Sequence, residues 1–369
     1  MTQRIEKLDS NFAPAPAPGP GGVEGDRVWY DIRDLGVEGR AFADTLDYYD
    51  RLPARAKGVV REAVWHLSRH SAGMRVRFVT DATRIAARWT LRFEQLALPH
   101  MAATGVSGLD LHLKHEGAWH WVGAGRPETF PDNEVALVSE ELAPGRREYE
   151  LSLPLYNGVA RVEIGLPRGA ALDRAPAYAA ARSKPLCFYG TSIVQGACAA
   201  RPGMCHTAIL ARRLDWPHLN LGFSGNGRLE PEVADLLAQV DPAAYILDAV
   251  PNNQPDDVRA RLGPFVRRLR REHPYTPILL VESILYQQGI FVPAHRQRCN
   301  QNNLALRQVH GQLRDEGCPA LHLVPGEHLL GDDGQGTVDG AHPSDLGFIR
   351  IADVLEPPLR AALAASVTA

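Results

Sequence analysis

The sequence has few lysines and no long apolar run, and its two signs of charge nearly cancel. No stretch of 18 or more apolar residues occurs among the 369 residues, so we expect no membrane-spanning helix and no membrane partner. Lysine and arginine together number 40, of which four are lysines, against 43 aspartates and glutamates, for a net charge of −3. This balance argues against a strongly basic nucleic-acid binder and against a polyacidic tail.

Cysteine is also scarce, and the five cysteines contain no Cys-x-x-Cys pair. This absence argues against zinc ribbons and thioredoxin-like redox sites. Free thiols in a reducing compartment are the favoured interpretation, with a disulfide between Cys198 and Cys205 left open. His112, His115 and His120 are near one another in sequence, but His115 falls on the opposite strand face and no second carboxylate completes a site. We therefore expect no bound metal.

The N-terminal end carries Arg4 and Lys7 but no continuous apolar segment after them, so it does not resemble a secretory signal. A cytoplasmic location follows if Met1 is the natural start, and a secreted or periplasmic one if the natural chain begins earlier. Residues 11–22 read NFAPAPAPGPGG, a composition that cannot hold a helix or a sheet ladder. We predict a flexible arm rich in proline, alanine and glycine over residues 1–24.

Residues 25–175 show the two-residue period of strands. Apolar and polar residues alternate in several short runs, which means that one face of each strand is buried and the other is wet. Proline and glycine separate these runs. The pattern predicts an all-β sandwich domain, jelly-roll-like in form, with strands over residues 74–78, 85–93, 108–113, 147–153 and 159–164.

From about residue 183 the pattern changes to short continuous apolar runs separated by amphipathic stretches. Apolar strands that alternate with helices predict a parallel sheet covered on both faces. We therefore predict a three-layer, flavodoxin-like α/β domain over residues 176–369, with about five parallel strands. The apolar runs are residues 186–189, 219–221, 245–247, 278–281 and 321–324, and the helical stretches are residues 202–214, 231–239, 256–272 and 294–316.

Four polar segments follow strands of this sheet, where parallel α/β domains bind their ligands. Ser192, in the turn after the first strand, can be a nucleophile if a base is near, or an ordinary polar loop residue. Residues 220–227 (NLGFSGNG) and 248–253 (DAVPNN) can supply N–H donors to an oxyanion, or can form a flexible loop and a capped turn. Asp339 and His342 are spaced so that the carboxylate can fix the imidazole tautomer, a spacing that solvated loops also show.

Together these four segments, in one order and at the strand ends of one domain, resemble the SGNH (GDSL-like) hydrolase family. The most specific stretches are residues 221–230 (LGFSGNGRLE) and 339–348 (DGAHPSDLGF), and the resemblance covers residues 183–362. The chain departs from the family at Thr191, where most members have Asp. The residues that match the family's four blocks are Ser192, Gly225, Asn252, and Asp339 with His342.

The resemblance implies a serine esterase mechanism. His342, oriented by Asp339, takes the proton of Ser192 as the hydroxyl attacks the ester carbonyl. The backbone N–H groups of Ser192 and Gly225 and the Asn252 amide hold the oxyanion, without a metal ion or an organic cofactor. The third block reads Val-Pro-Asn-Asn rather than Gly-x-Asn-Asp, so either Asn252 or Asn253 can match the family's asparagine. Asn252 is chosen because Asp248 and the pair Pro251-Asn252 resemble the pattern of one branch of the family.

The N-terminal half resembles one branch of this family. Residues 105–121 (GVSGLDLHLKHEGAWHW) and 153–167 (LPLYNGVARVEIGLP) look like the G-x-D-L-Y-type module found ahead of some SGNH domains, with His112 where the pattern has Tyr. In that branch the resemblance implies hydrolysis of short-chain esters, above all O-acetyl groups on carbohydrates. The expected partner is thus a small-molecule or carbohydrate ester, and a homo-oligomer remains open.

Several side chains and functions remain open alternatives. Glu282 and Tyr286, just past the fourth strand, can contact substrate or serve as ordinary loop residues. Trp119 and Trp121 can stack on a sugar ring, or can pack in a core or domain interface. A lipase, thioesterase or arylesterase could use the same triad, because a fold does not fix the acyl group. A carbohydrate-binding protein with an idle hydrolase domain is the alternative from another class.

Overall fold

Antiparallel strands make up the N-terminal half of the chain. In the computed structural model, which describes residues 22–367, they form two sheets. The first sheet contains β1 (Gly22–Glu24), β2 (Arg27–Asp31), β5 (Ile85–Leu91), β8 (Asp132–Val138) and β10 (Val159–Pro167), in the order β1-β2-β10-β5-β8. The second contains β3 (Val37–Glu38), β4 (Arg75–Thr80), β6 (Leu109–His115), β7 (Ala118–Gly125), β9 (Arg147–Ser152) and β11 (Leu172–Arg174), in the order β11-β4-β9-β6-β7 with β3 paired to β4.

The inward faces of these two sheets share one apolar core, as in a sandwich. Phe78 of β4 and Tyr149 of β9 stack with ring centroids 5.4 Å apart, and Trp89 of β5 packs in the same cluster. Trp89 donates its indole N–H to the Ser107 carbonyl at 3.0 Å, so its one polar group is satisfied. The predicted β-sandwich is confirmed, and each of the five predicted strands is present near its expected bounds.

Of the arm predicted over residues 1–24, residues 1–21 lie outside the described residues. Its last three residues instead form β1, which pairs antiparallel with β2, so the prediction extended the arm too far. Residues 22–24 join the edge of the first sheet through backbone pairing with β2, which composition does not reveal. Two α-helices also belong to this half, α1 (Glu62–Ser68) and α2 (Ala103–Val106).

The C-terminal half builds a parallel sheet. Its strands are β12 (Leu186–Gly190), β13 (His218–Gly222), β14 (Ala244–Asp248), β15 (Ile278–Val281) and β16 (Leu321–Val324), in the order β13-β12-β14-β15-β16. Three of its helices begin with proline, which is tolerated there because the first helical N–H needs no partner. The helices are α3 (Ser192–Gln195), α4 (His206–Leu214), α5 (Pro231–Leu237), α6 (Pro255–Glu272), α7 (Pro293–Asp315) and α8 (Asp345–Val367).

Alternate residues of each parallel strand bury against two helical layers. On β12, Phe188 packs with residues of α4 and α8, while Cys187 and Tyr189 pack with residues of α5, α6 and α7. Tyr189 stacks on Phe265 of α6 with ring centroids 5.2 Å apart. The predicted three-layer α/β domain with five parallel strands is confirmed. Its topology brings the carboxyl ends of all five strands to one edge of the sheet.

One stretch of the N-terminal half packs against the α/β domain rather than within the sandwich. Leu52 and Trp65 share a core cluster with Leu221 and Phe223 of the loop side of β13. The predicted boundary between residues 175 and 176 falls between β11, which ends at Arg174, and β12, which begins at Leu186. Leu52 and Trp65 come before this boundary in sequence but pack against residues that come after it.

A buried carboxylate joins the two domains. Asp110 of β6, the aspartate of the G-x-D-L motif, is fully buried and accepts hydrogen bonds from the Arg201 guanidinium and the Gly203 N–H, each at 2.8 Å. Both partners lie in the segment that follows α3. The motif therefore anchors the sandwich next to the candidate nucleophile.

Two further expectations concern membranes and disulfides. None of the described helices combines the length and the apolar character needed to cross a membrane. All five cysteines are free, so the disulfide left open between Cys198 and Cys205 does not form.

Candidate active site

The predicted nucleophile lies where the first parallel strand meets a one-turn helix. Strand β12 ends at Gly190, and the Thr191 hydroxyl caps α3 by accepting a hydrogen bond from the Ile193 N–H at 3.2 Å. Ser192 is the first residue of α3 and is 7% exposed. The N–H groups of a first helical turn have no partner inside the helix, so the Ser192 N–H is available to a ligand.

Asp339 and His342 lie on the loop before α8, and their side chains meet. His342 Nδ1 lies 2.7 Å from Asp339 Oδ2, while Asp339 Oδ1 accepts the backbone N–H groups of His342 at 2.7 Å and Ala341 at 3.0 Å. Burial acts to raise the pKa of Asp339, but these hydrogen bonds outweigh it and lower the pKa to about 2. The carboxylate is therefore ionised near neutral pH and holds the proton on His342 Nδ1.

The other ring nitrogen of His342 faces the serine. Ser192 Oγ lies 3.0 Å from His342 Nε2, within hydrogen-bond distance. A carboxylate on Nδ1 leaves Nε2 as the acceptor, which is the tautomer that a general base needs. The fold thus brings Ser192, His342 and Asp339 into one hydrogen-bonded chain, although the serine and the histidine are 150 residues apart.

The glycine-rich loop after β13 approaches the strand ends at one glycine and turns at another. A Cβ at Gly227 would overlap the carbonyl of Gly190, so the close approach requires glycine. Gly225 has a φ of 67°, in the left-handed region that glycine adopts without strain, and nothing crowds it. No backbone hydrogen bond within residues 22–367 uses its N–H, so this donor is available to an oxyanion.

The two neighbouring amides of the third segment have different environments. Asn253 is 2% exposed, and its Nδ2 donates to the carbonyls of Ala249 at 2.7 Å and Gly227 at 3.2 Å. Asn252 is half-buried at the end of the 3₁₀ turn Val250–Asn252, and its Oδ1 accepts the Gly227 N–H at 3.2 Å. The Asn252 amide therefore keeps its N–H groups for a ligand, whereas Asn253 holds the turn together.

Gln195 supports the site, a role that the sequence did not reveal. Its side chain accepts the Ser224 N–H at 3.0 Å and donates to His70 Nδ1 at 3.0 Å. Burial lowers the pKa of His70 to about 3, so the ring is neutral and can accept this bond. Gln195 thereby connects the glycine-rich loop to the N-terminal half.

Two more supporting side chains come from the N-terminal half. Tyr156 donates to the Ser192 carbonyl at 3.3 Å, and the fully buried Arg51 donates to the Gly222 carbonyl at 2.7 Å. Tyr156 falls in the stretch that resembled the G-x-D-L-Y-type module, which was the only signal for it. Arg51 lies in no motif, so nothing in the sequence pointed to it.

Glu282, for which substrate contact and an ordinary structural role were both left open, is not placed to contact a substrate. Its side chain is fully buried and accepts hydrogen bonds from the Arg307 guanidinium and, at 3.0 Å, from the Gly326 N–H. A carboxylate enclosed by these partners cannot reach a substrate. Tyr286, named with it, is half-buried and lines a cavity described below.

The two tryptophans lie on β7 at the edge of the sandwich. Trp119 is half-buried, with the Lys114 ammonium 5.3 Å from its ring centroid. Trp121 is 51% exposed, with the Arg201 guanidinium carbon 5.2 Å from its ring centroid. Cation–π contacts occupy these rings, and sugar stacking by either one stays a prediction.

A cavity lies next to the Asp339 loop without being lined by Ser192 or His342, and one further ring lies against His342. The cavity, of about 210 Å³, is lined by the segment that includes Tyr286 and Gln287, and the Gln287 N–H donates to the Gly340 carbonyl of the Asp339 loop at 3.0 Å. The His100 ring, from the N-terminal half, has its centroid 5.7 Å from that of His342. Among the described residues, the side chains that could ligate a metal form one close group: His100, Cys198 and His342.

Comparisons with known proteins agree with this architecture. Residues 183–360 match the GDSL-like lipase/acylhydrolase family, and residues 27–172 match the family described as the N-terminus of SGNH-hydrolase-type esterases. A search of curated proteins finds no match.

Three solved structures are similar to the chain over nearly its whole length. A Bacteroides ovatus ATCC 8483 protein assigned as a GDSL-like lipase is 33% identical, with a TM-score of 0.86 over 92% of this chain and 98% of its own. The salicylyl-acyltransferase of a tetracycline biosynthetic pathway (20% identity, TM-score 0.68) and a family two carbohydrate esterase from Cellvibrio japonicus (14% identity, TM-score 0.54) each align over 95% of both chains and share the fold. On the strength of the first of these and of the family matches, the chain belongs to the GDSL-like lipase/acylhydrolase family and is a hydrolase that acts on esters.

Proposed function

We propose that the protein is a serine esterase that removes short acyl groups, above all acetyl, from carbohydrate esters. The observation that carries the proposal is the chain of hydrogen bonds from Ser192 Oγ through His342 to Asp339, with distances of 3.0 and 2.7 Å. A serine, a neutral imidazole and an ionised carboxylate in this order are the parts that two-step acyl transfer requires.

The first step forms an acyl-enzyme. His342 Nε2 takes the hydroxyl proton as Ser192 Oγ bonds to the ester carbonyl carbon, and the carbonyl oxygen becomes an oxyanion. The backbone N–H groups of Ser192 and Gly225 and the Asn252 amide donate to that oxygen. As the tetrahedral intermediate collapses, the imidazolium returns its proton to the departing alcohol.

The second step frees the enzyme. Water takes the place of the alcohol, and His342 removes a proton from it as its oxygen attacks the acyl carbon. The same N–H donors hold the second oxyanion, and the proton then returns to Ser192 as the carboxylic acid leaves. The Asp339 carboxylate stabilises the imidazolium in both steps without taking the proton itself.

Polar groups around the site support a carbohydrate as the alcohol. The segments around the site expose His100, Arg228 and Gln288, which can hydrogen-bond sugar hydroxyls. A fold relative from Clostridium thermocellum, 15% identical with a TM-score of 0.55, is a family two carbohydrate esterase in complex with cellohexaose. The likeness is one of fold alone, and by analogy it favours a carbohydrate ester as the substrate.

A lipase or thioesterase is the second candidate, and one observation favours it. The cavity of about 210 Å³ beside the Asp339 loop is lined in part by Leu285, Ile290 and Leu330. Arg296, Glu327 and Asp332 also line it, and the apolar part of the lining suits an acyl chain better than a sugar. The preference for acyl length therefore decides between the two candidates.

The test compares hydrolysis of p-nitrophenyl acetate and p-nitrophenyl octanoate by the wild type and by Ser192→Ala. We expect turnover of acetate with little turnover of octanoate, and loss of nearly all of it in the variant. A preference for octanoate would move the assignment to the lipase or thioesterase. Equal rates in wild type and variant would refute the serine mechanism.

A further inference from the structure

A group of metal-ligating side chains surrounds the histidine of the candidate active site. One ligand atom from each of His100, Cys198 and His342 lies within 4.8 Å of the other two. Nitrogen from two histidines and sulfur from one cysteine is a ligand set that Zn²⁺ favours. Of the three, the proposed catalytic steps use His342, and neither His100 nor Cys198 takes part in the transfer of the proton or the acyl group.

Both added ligands are held in place by the junction of the two domains. The β-bridge of Leu98 with Met101, whose two backbone hydrogen bonds measure 3.1 and 3.0 Å, fixes the turn that carries His100. Cys198 is buried in a small apolar cluster with Met101. The Thr104 hydroxyl donates to the Ala200 carbonyl at 2.5 Å, which fastens the His100 segment to the Cys198 segment.

The surroundings of His342 match those of a metal-binding histidine. Such a histidine usually donates its second ring N–H to a carboxylate, which fixes the ring and raises the basicity of the ligating nitrogen. Asp339 Oδ2, at 2.7 Å from His342 Nδ1, supplies that carboxylate. Nε2 is then the nitrogen left for a metal ion, and it is also the nitrogen that faces Ser192.

The geometry needs only a small adjustment. With Zn–N distances of about 2.1 Å and a Zn–S distance of about 2.3 Å, tetrahedral Zn²⁺ holds its ligand atoms about 3.5 Å apart. The present separations of up to 4.8 Å must shorten by about 1 Å. His100 is exposed, so its side chain can rotate toward the other two ligands at little cost.

We propose that His100, Cys198 and His342 bind Zn²⁺ reversibly and that the bound ion inhibits the esterase. The Cys198 thiol releases its proton to solvent on binding, and water completes the fourth position of the ion. The ion occupies the lone pair of His342 Nε2, so this nitrogen can no longer accept the Ser192 proton. The inhibition rests on the proposed function, whereas the binding does not.

The inhibition is tested by titrating ZnCl₂ into full-length protein during hydrolysis of p-nitrophenyl acetate. Each variant is compared with its own rate in EDTA. We expect inhibition that EDTA reverses, and a Zn²⁺ concentration for half-inhibition about 10–100-fold higher in Cys198→Ala and in His100→Gln. Cys318→Ala is the matched control, because this half-buried thiol lies outside the group and its loss should leave the inhibition unchanged.

Binding is measured separately with Co²⁺ as a spectroscopic probe. We expect a thiolate-to-cobalt charge-transfer band in the wild type and in Ser192→Ala, and its loss in Cys198→Ala. A cobalt band in a protein without esterase activity would support the site and count against the proposed function alone. Equal inhibition of wild type and Cys198→Ala, activation by Zn²⁺, or no cobalt–thiolate band would overturn the proposal.

Discussion

Two adjacent asparagines show what a motif reveals about single residues and what it does not. The four-block pattern located Ser192 and His342, because each is the one residue of its type in its block, and it located Asp339 by its spacing from His342. It could not separate Asn252 from Asn253, since two like amides in one turn carry the same chemistry. Burial separates them, with Asn253 enclosed and Asn252 half-buried.

At this scale we predict that Asn252→Ala lowers kcat by about 10²–10³, because one oxyanion donor contributes about 2.7–4 kcal/mol to lowering the barrier. Steady-state kinetics on p-nitrophenyl acetate measures the effect. Asn253→Ala is the matched control, and we expect it to lower the free energy of unfolding by removing two buried hydrogen bonds. Full kcat in Asn252→Ala with a crippled but stable Asn253→Ala would reverse the assignment.

The elements of the parallel sheet were easier to predict than those of the sandwich. Strands buried on both faces, such as β14 and β15, are short continuous apolar runs, and their length distinguishes them from buried helices. Strand β7 has mostly exposed or half-buried residues on both faces, and β1 is three residues long, so neither shows a clear period. The role of Glu282 stayed open for a related reason, because its partner Arg307 lies 25 residues away in sequence, in α7.

The end of β14 holds an acidic residue that the proposed mechanism does not use. Asp248 is 5% exposed, and burial raises its pKa to about 7. The folded state therefore holds this proton more tightly than the unfolded state, whose aspartate has a pKa near 3.8. The stabilisation that comes from this bound proton is fully present below the pKa of the unfolded state, near 3.8. It is lost as the pH rises through the pKa of the folded state, about 7.

We therefore predict that the wild type loses stability relative to Asp248→Asn as the pH rises from about 4 to about 8, by up to about 4 kcal/mol. Urea unfolding across this range measures the difference. Asp256→Asn is the control, because the side chain of Asp256 is 96% exposed and should show little pH-dependent difference. A wild type that gains stability over this range relative to Asp248→Asn would contradict the assigned pKa.

On the scale of the whole molecule, the sandwich and the α/β domain form the site together. Tyr156, His70 and Arg51 reach the strand ends of the parallel sheet from the N-terminal half. The sequence predicted both domains but not their contacts, because periodicity reports which face of an element is buried and not what covers it. The G-x-D-L motif was recognised by resemblance, and only the fold shows that Asp110 anchors one domain to the other.

The close contact between the two domains also explains why residue 105 is a glycine. A Cβ at Gly105 would overlap the Ala199 carbonyl, across the junction of the two domains. We predict that Gly105→Ala lowers the free energy of unfolding by about 1–3 kcal/mol through overpacking. Gly311→Ala in α7 is the matched control, because nothing lies within 4 Å of the added Cβ and helix propensity should make the protein more stable. A neutral or stabilising Gly105→Ala would show that the two domains are not in such close contact.

The central claim is that Ser192 is a nucleophile activated by His342, and covalent labelling tests it most directly. Intact protein is treated with a fluorophosphonate, and the adduct is located by peptide mass spectrometry. We predict one adduct on Ser192, none in Ser192→Ala, and strongly slowed labelling in His342→Ala, with circular dichroism confirming that each variant is folded. No adduct, or an adduct on another residue, would contradict the account.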